Sequence, residues 1–356
     1  MKRLVAIDGI RGIAILMVVS FHYLNVQLVN STSTIGKIFS KATYFGWVGV
    51  DLFFVLSGFL IGTILLKNKT SKNYFSTFYI RRIVRIIPNY YLLLIIYIVI
   101  NFFEVFKNDY NLTGNNVIPI WSYFLMVHNF FMAHINNLGN ESIVITWSIG
   151  IEEQFYLLIP FVLYKMNSRF LPWFVGLIII ISILIRFQYD TWIPKYVLLG
   201  CRADSIAFGL LISWVYLYRK VEKINYNLLV LSFIILITIV GFIYMIYDDL
   251  GVFKHSLFAA IFSILILMAL VNKNNFYNKF LENKILCWIG KLSYSLYLFH
   301  YLILHLVQFV FGRHRINNIE DVFIIFLAFL ISILFSFFVY QYLEQPMIKI
   351  GKKYNY

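Results

Sequence analysis

The stretch DGIRGIAILMVVSFHYLNVQLV, residues 8–29, decides the fold. It opens Asp8-Gly9-Ile10-Arg11 and runs apolar to Val29. That is long enough for a helix crossing the ~30 Å hydrocarbon layer of a bilayer. Two of its residues are foreign to hydrocarbon, Arg11 near the start and His22 well inside. They are eleven positions apart. At 100° per residue, eleven steps end about 20° past three full turns, so both side chains share one helical face. At 1.5 Å per residue they lie roughly 16 Å apart along the axis, half the hydrocarbon thickness. With Arg11 at one membrane surface, His22 falls near the midplane. An arginine at a helix end also serves as a snorkelling anchor, whereas a histidine buried inside a span points to function. The aligned pair suggests a site entered from the Arg11 side.

The same pattern fills the chain. Of its 356 residues 61% are hydrophobic and 13% charged, with a mean hydropathy of +0.79. Repeated apolar runs of about 17 to 23 residues give an all-α polytopic membrane protein. The first run is too long for a cleaved signal peptide and lacks a small-residue cleavage site. A net charge of +14 would suit nucleic acid, but the basic residues fall between apolar runs. Topology and anionic lipid therefore account for them, and nucleic acid is not an expected partner. Cys201 and Cys287 lie in or beside spans without metal-type spacing and read as inert; no metal site is expected.

In order, the expected spans are 10–29, 46–66, 86–103, 147–164, 171–187, 196–217, 227–247, 255–271, 289–311 and 321–343. Lys2 and Arg3 place the N-terminus in the cytoplasm. The stretch with Lys67, Lys69, Lys72, Arg81, Arg82 and Arg85 reads as a cytoplasmic loop, and Pro88 as a first-turn proline of the third span. The loop after that span carries Glu104 and Asp109 against Lys107, as an external loop would. Residues 121–134 are apolar but only fourteen long. Counting them as a span would invert every later basic loop, so they read as re-entrant or interfacial. Lys165, Arg169, Arg219, Lys220, Lys223, Lys273, Lys279 and Lys284 then fall inside, Asp248 and Asp249 outside, and Lys349, Lys352 and Lys353 leave the C-terminus in the cytoplasm. Arg313 and Arg315 break the rule. The chain 1–356 reads as one membrane domain with no appended soluble domain.

This topology sorts the polar residues by depth. Arg11, Arg82 and Arg85 share the cytoplasmic face, and Arg82 and Arg85 are helical neighbours. Three guanidiniums there suit an anion, with phosphate the natural candidate, although Arg82 and Arg85 alone also fit an ordinary positive-inside cluster. His22 and His300 fall at the midplane. Asp51, Glu152, Glu153, Arg202 and Asp204 fall in the outer half. Glu152 and Glu153 point 100° apart, so at most one faces a given partner squarely. Arg202 and Asp204 also fit a structural salt-bridge network, with each other or with the nearby acids. His128, His134, His255, His305 and His314 lie at span ends or in loops and read as ordinary. Ser57 is a weak nucleophile candidate, because a membrane-helix serine bonds by default to its own backbone.

These residues together resemble the bacterial acyltransferase family 3. Arg11-x10-His22 is similar to that family's Arg-x10-His signature. Residues Gly49-Val50-Asp51-Leu52-Phe53-Phe54-Val55-Leu56-Ser57-Gly58-Phe59-Leu60-Ile61, the Arg82-x-x-Arg85 pair with Pro88, and Trp147-Ser148-Ile149 through Glu152-Glu153-Gln154-Phe155-Tyr156-Leu157 follow its blocks. So do Leu292-Ser293-Tyr294-Ser295-Leu296-Tyr297-Leu298-Phe299-His300 and Glu344 before Pro346. Leu302 departs from the proline common there. Longer members carry a hydrolase-like domain that is not expected after residue 344.

The resemblance implies transfer of an acyl group, chiefly acetyl, from cytoplasmic acetyl-CoA to a hydroxyl of a surface polysaccharide such as lipopolysaccharide O-antigen, capsule or exopolysaccharide. It implies a protein of the bacterial inner membrane with no tightly bound cofactor. Arg11, Arg82 and Arg85 would hold the CoA phosphates. His22 either deprotonates the acceptor or carries the acetyl group; Glu152 or Glu153 orients it or receives the sugar. Asp51, Ser57, Trp147, Arg202, Asp204, His300 and Glu344 would support the site. Direct acetylation of a lipid-linked glycan is the simpler version, and a separate extracytoplasmic partner stays open. The alternatives are peptidoglycan or a small-molecule acceptor and, in another class, a proton-coupled transporter.

Overall fold

The computed structural model describes residues 4–31, 33–102, 118–271, 275–312 and 319–356. Among them there is no strand, and ten segments are long and apolar enough to cross a membrane. A helix satisfies every backbone polar group within itself, which is what hydrocarbon demands. The long helices are α1 (Val5–Ser20), α2 (Gly49–Lys67), α3 (Tyr74–Phe102), α4 (Trp147–Lys165), α5 (Leu171–Phe187), α6 (Leu199–Tyr218), α7 (Tyr226–Tyr247), α8 (Lys254–Val271), α9 (Lys284–Val310) and α10 (Ile319–Val339). The chain is an all-α polytopic membrane protein. Residues 120–135 form two short helices, Ile120–Phe124 and His128–Ile135, neither long enough to span, in keeping with their reading above. The expectations resting on Lys2, Arg3, Phe103, Glu104, Lys107, Asp109, Lys273, Arg313, His314 and Arg315 lie outside the described residues.

One boundary needs correcting. Helix α3 starts at Tyr74, twelve residues before its apolar run, so Arg81, Arg82 and Arg85 are helical and Pro88 lies inside the helix. Apolar length marks only the part of a helix in hydrocarbon. Arginine stems continue it while their heads stay outside. Pro88 removes the bond to the Val84 carbonyl, a loss a membrane helix tolerates when neighbours compensate. The Tyr294 hydroxyl donates to the carbonyl of Ile86 at 2.8 Å on this stretch.

The residues cluster into two compact units. The first comprises Met1–Gly12, Val50–Tyr74 and Gly150–Gly290. Its helices touch through glycines, the usual device where no hydrophobic effect draws helices together. A Cβ on Gly58 would meet the Ile206 carbonyl oxygen at 1.9 Å, and one on Gly209 the Val55 oxygen at 2.1 Å, so α2 and α6 lie backbone to backbone. Helix α7 packs on α8, yet its most apolar window is only 6% buried; its aliphatic side chains face lipid. The second unit comprises Ile13–Gly49, Phe75–Ile149 and Lys291–Tyr356. In it α1 continues through a π-turn, Phe21–Asn25, and α10 through another, Tyr340–Glu344.

Candidate functional site

In the second unit His22 sits in the π-turn of the first span, where the Val26 N–H reaches back five residues to the Phe21 carbonyl. Single π-turns inside α-helices are frequent at functional sites. His22 is half-buried and its Nδ1 lies 2.9 Å from Nε2 of His300 on α9. His300 is fully buried, and its Nδ1 faces the carbonyl oxygens of Leu296 and Tyr297 at 3.0 and 2.8 Å. Carbonyls only accept, so Nδ1 of His300 carries the proton and Nε2 of the neutral ring is an acceptor. Nδ1 of His22 must then donate to it. The remaining nitrogen of His22, Nε2, therefore holds a lone pair, and it has no hydrogen-bond partner among the described residues. Backbone carbonyls thus set the tautomer of two rings in series.

The surroundings hold this pair rigid. Tyr23 donates to the His300 carbonyl and its oxygen accepts from Ser332, both partners 2.7 Å away. The His22 ring stacks on Tyr301, centroids 4.5 Å apart, and Tyr301 packs at 4.5 Å on His305. His305 lies 3.0 Å from the Ser142 hydroxyl and 3.6 Å from the carboxylate of Glu141. His305 is thus no ordinary span-end residue; it closes a column of rings that begins at His22. Glu344, in the second π-turn, is buried and accepts from Ser295 at 2.6 Å and from Asn89 at 3.2 Å. It ties α9 to α3 beside Pro88. Trp147 is buried. Arg82 and Arg85 are half-buried on α3, with Arg82 over the Phe78 ring at 6.0 Å. Arg81 donates through Nε to the Tyr354 carbonyl at 2.9 Å.

His128, also read as ordinary, is fully buried. Thr146 donates to the Ile143 carbonyl at 2.6 Å, so its oxygen accepts from Nε2 of His128 at 3.0 Å. That leaves Nδ1 buried without a partner. Burial lowers the His128 pKa to about 4.

The first unit holds Arg11, Asp51, Ser57, Glu152, Glu153, Arg202 and Asp204. Arg11 lies 4.0 Å from Asp8, one turn earlier. Arg202 and Asp204 do not pair with each other. Arg202 donates to Asp51 at 2.9 Å and to Nε2 of His255 at 3.0 Å. Its guanidinium packs over the rings of Phe54 and Tyr196 at 5.3 and 5.2 Å. Asp204 takes its charge partner from Arg186, at 2.8 Å, and a further bond from Ser256. Arg186 also donates to the Cys201 carbonyl at 2.7 Å. Because a guanidinium only donates, Nε2 of His255 is an acceptor and its Nδ1–H faces Asp51, 3.5 Å away. Two arginines and two aspartates, all fully buried, cancel in charge around a neutral histidine. This arrangement fits the salt-bridge network that the sequence offers for Arg202 and Asp204, with partners other than each other. The sequence reading missed Arg186 and set His255 aside.

Ser57 departs from its expected behaviour. It makes no bond to its own backbone, unlike Thr63 on the same helix, which donates to the Phe59 carbonyl. Its hydroxyl meets that of Tyr156, which in turn donates to Glu152 at 2.7 Å. Glu153 is half-buried beside Glu152. Among the described residues no group of three or more metal-ligating side chains converges.

O-acetyltransferase OatA of Staphylococcus aureus strain NCTC 8325 / PS 47 is 27% identical over 378 residues, which cover 99% of this chain and 58% of that protein. The protein of the same name from strain MRSA252 matches to the same extent. The chain spans 58% of the length of these curated relatives. No solved structure matches it. A family model described as an acyltransferase domain matches residues 4–341. The chain belongs to the acyltransferase family 3.

Proposed function

We propose that the protein is an O-acetyltransferase of the bacterial inner membrane, with both termini cytoplasmic. It takes acetyl from acetyl-CoA at the cytoplasmic face and delivers it to a hydroxyl of a surface polysaccharide at the outer face. The observation that carries this reading is the His22–His300 pair. A half-buried imidazole with one ring nitrogen unprotonated can act as a general base. The acceptor hydroxyl attacks the acetyl carbonyl carbon as its proton moves to Nε2 of His22, which returns it to the group the acetyl leaves. His300 accepts from Nδ1 throughout, so the imidazolium forms without reorienting. Arg82 and Arg85 are assigned to the CoA phosphates, which guanidiniums bind bidentately. Family membership and the names of the relatives support the reaction class.

The test is transfer of labelled acetyl from acetyl-CoA by purified protein in lipid, beside His22→Ala of matched stability. Lipid-linked O-antigen, capsular glycan and peptidoglycan precursors are offered as separate acceptors. Label entering one glycan with wild type but not the variant is the expected result. Transfer that survives the substitution moves the chemistry away from His22. Neither transfer nor acetyl-CoA binding would overturn the reading and favour a proton-coupled carrier.

A further inference from the structure

The first unit contains a second directed proton chain, and its starting atom is a nucleophile. Ser57 lies on the half-buried stripe of α2 that also holds Phe53, Leu60 and Ile64, whereas Val55, Leu56, Gly58 and Phe59 are buried. Tyr156 and Glu152 are four residues apart on α4 and so share one helical face. An ionised carboxylate can only accept, so the single proton of Tyr156 points to Glu152. The Tyr156 oxygen is then the acceptor for Ser57. Every proton in the chain runs from Ser57 towards Glu152. The serine oxygen keeps its lone pairs for something else.

A membrane-helix serine has its own backbone within reach as a partner. Thr63, Ser213 and Ser263 in this unit use it, donating to Phe59, Leu210 and Ala259, and Ser205 and Ser256 of this unit donate instead to the buried carboxylates of Asp51 and Asp204. Ser57 has the construction of an activated nucleophile, a hydroxyl hydrogen-bonded to a group oriented by a third. We infer that Ser57 carries the acetyl group between donor and acceptor, with Tyr156 and Glu152 moving its proton; the inference rests on the acetyltransferase reading above.

In the first step the Ser57 oxygen attacks the thioester carbonyl carbon. Its proton passes to Tyr156 as the Tyr156 proton passes to Glu152. The carbon–sulfur bond breaks, and the departing thiolate takes up that proton. The products are an acetyl-serine ester, free CoA thiol and ionised Glu152. In the second step the acceptor hydroxyl attacks the ester carbon, the carbon–oxygen bond to Ser57 breaks, and the acceptor's proton ends on the serine oxygen. No oxidant or metal is required.

The experiment uses the full chain in lipid with labelled acetyl-CoA and no acceptor. The expected result is a burst of free CoA thiol, label retained on the protein and an acetylated peptide containing Ser57. Later addition of glycan then discharges the label. Tyr156→Phe keeps the ring and breaks the chain, so the burst slows by about 10²- to 10⁴-fold while the KM for acetyl-CoA is unchanged. A purely structural hydroxyl would not produce that split. Ser57→Cys guards against loss of folding in Ser57→Ala, because its acetyl thioester is cleaved by neutral hydroxylamine. Glycan acetylation that proceeds undiminished in Ser57→Ala, or label mapped to another residue, overturns the inference and leaves the acetyltransferase standing. No acetyl-CoA turnover in wild type overturns both.

Discussion

Replacing His300 tests whether the tautomer of His22 is set from behind. His300→Phe keeps a ring between Tyr297 and Tyr301 but removes Nε2, the acceptor 2.9 Å from His22. A hydrogen bond between neutral groups contributes about 1 kcal/mol, so its loss lets the other His22 tautomer, with Nε2 protonated and useless as a base, compete. The larger effect falls in the transition state. There His22 is an imidazolium and the lost bond is charge-assisted, contributing about 1.5–3 kcal/mol. At 1.36 kcal/mol per tenfold, kcat should fall roughly 10- to 150-fold, with the KM for acetyl-CoA near its wild-type value. The assay is steady-state transfer to glycan by protein in lipid, with thermal melts to match stability. His300→Gln, which offers a carbonyl oxygen to Nδ1 of His22, should recover part of the loss. Because His300 acts through His22, adding His300→Phe to His22→Ala should cost nothing further. Wild-type kcat in His300→Phe, or additive losses in the double variant, would refute the coupling.

Four further outcomes follow from the same structure. Arg82→Ala and Arg85→Ala should each raise the KM for acetyl-CoA on the order of tenfold with kcat kept, measured by transfer kinetics. Asp51→Asn strands the buried guanidinium of Arg202 and should lower stability by about 3–5 kcal/mol, whereas Asp51→Leu with Arg202→Met together should cost far less in the same melts. Gly209→Ala pushes a Cβ to 2.1 Å from the Val55 oxygen and should cost about 1–3 kcal/mol, while Gly176→Ala, with nothing within 4 Å, should be neutral or slightly stabilising by melting temperature. His128 has a folded pKa lowered to about 4, so the unfolded chain binds its proton first. Its contribution is complete above pH 6.5 and is lost as pH falls from 6.5 towards 4, by up to about 3 kcal/mol. His128→Asn should flatten that part of the stability–pH curve.

Much of the architecture was legible because lipid imposes a length and a composition on every span. Helix α5 was expected at 171–187 and occupies Leu171–Phe187. Where the reading slipped, hydropathy stops carrying information. The first three turns of α3 are basic and helical, and an apolar window cannot see them. The π-turn at Phe21–Asn25 leaves no mark in composition, yet it is where His22 sits. His255 and His305 were dismissed for lying near span ends, although partners on other helices decide their surroundings. Arg186 was the avoidable miss. It ends the run Leu177–Ile185, interrupted only by Ser182, and the argument that singled out Arg11 applies to it equally. For Ser57, a single helix offers its own backbone as the default partner. Only the neighbouring α4 shows otherwise.

The polar groups of this protein divide by whether their proton chains close. Arg186, Arg202, Asp51 and Asp204 are fully buried and cancel in charge, and Nδ1 of His255 lies 3.5 Å from Asp51. Losing either partner of such a pair leaves an uncompensated charge in low dielectric. His22 and Ser57 are different. Each is half-buried, and each has its proton directed to a neighbouring side chain. His300 draws it by accepting from Nδ1, Tyr156 by accepting from the serine hydroxyl. Each arrangement leaves a lone pair on the residue that a substrate can approach. A nitrogen base and a hydroxyl nucleophile are the two groups that the acyl transfer proposed above would use.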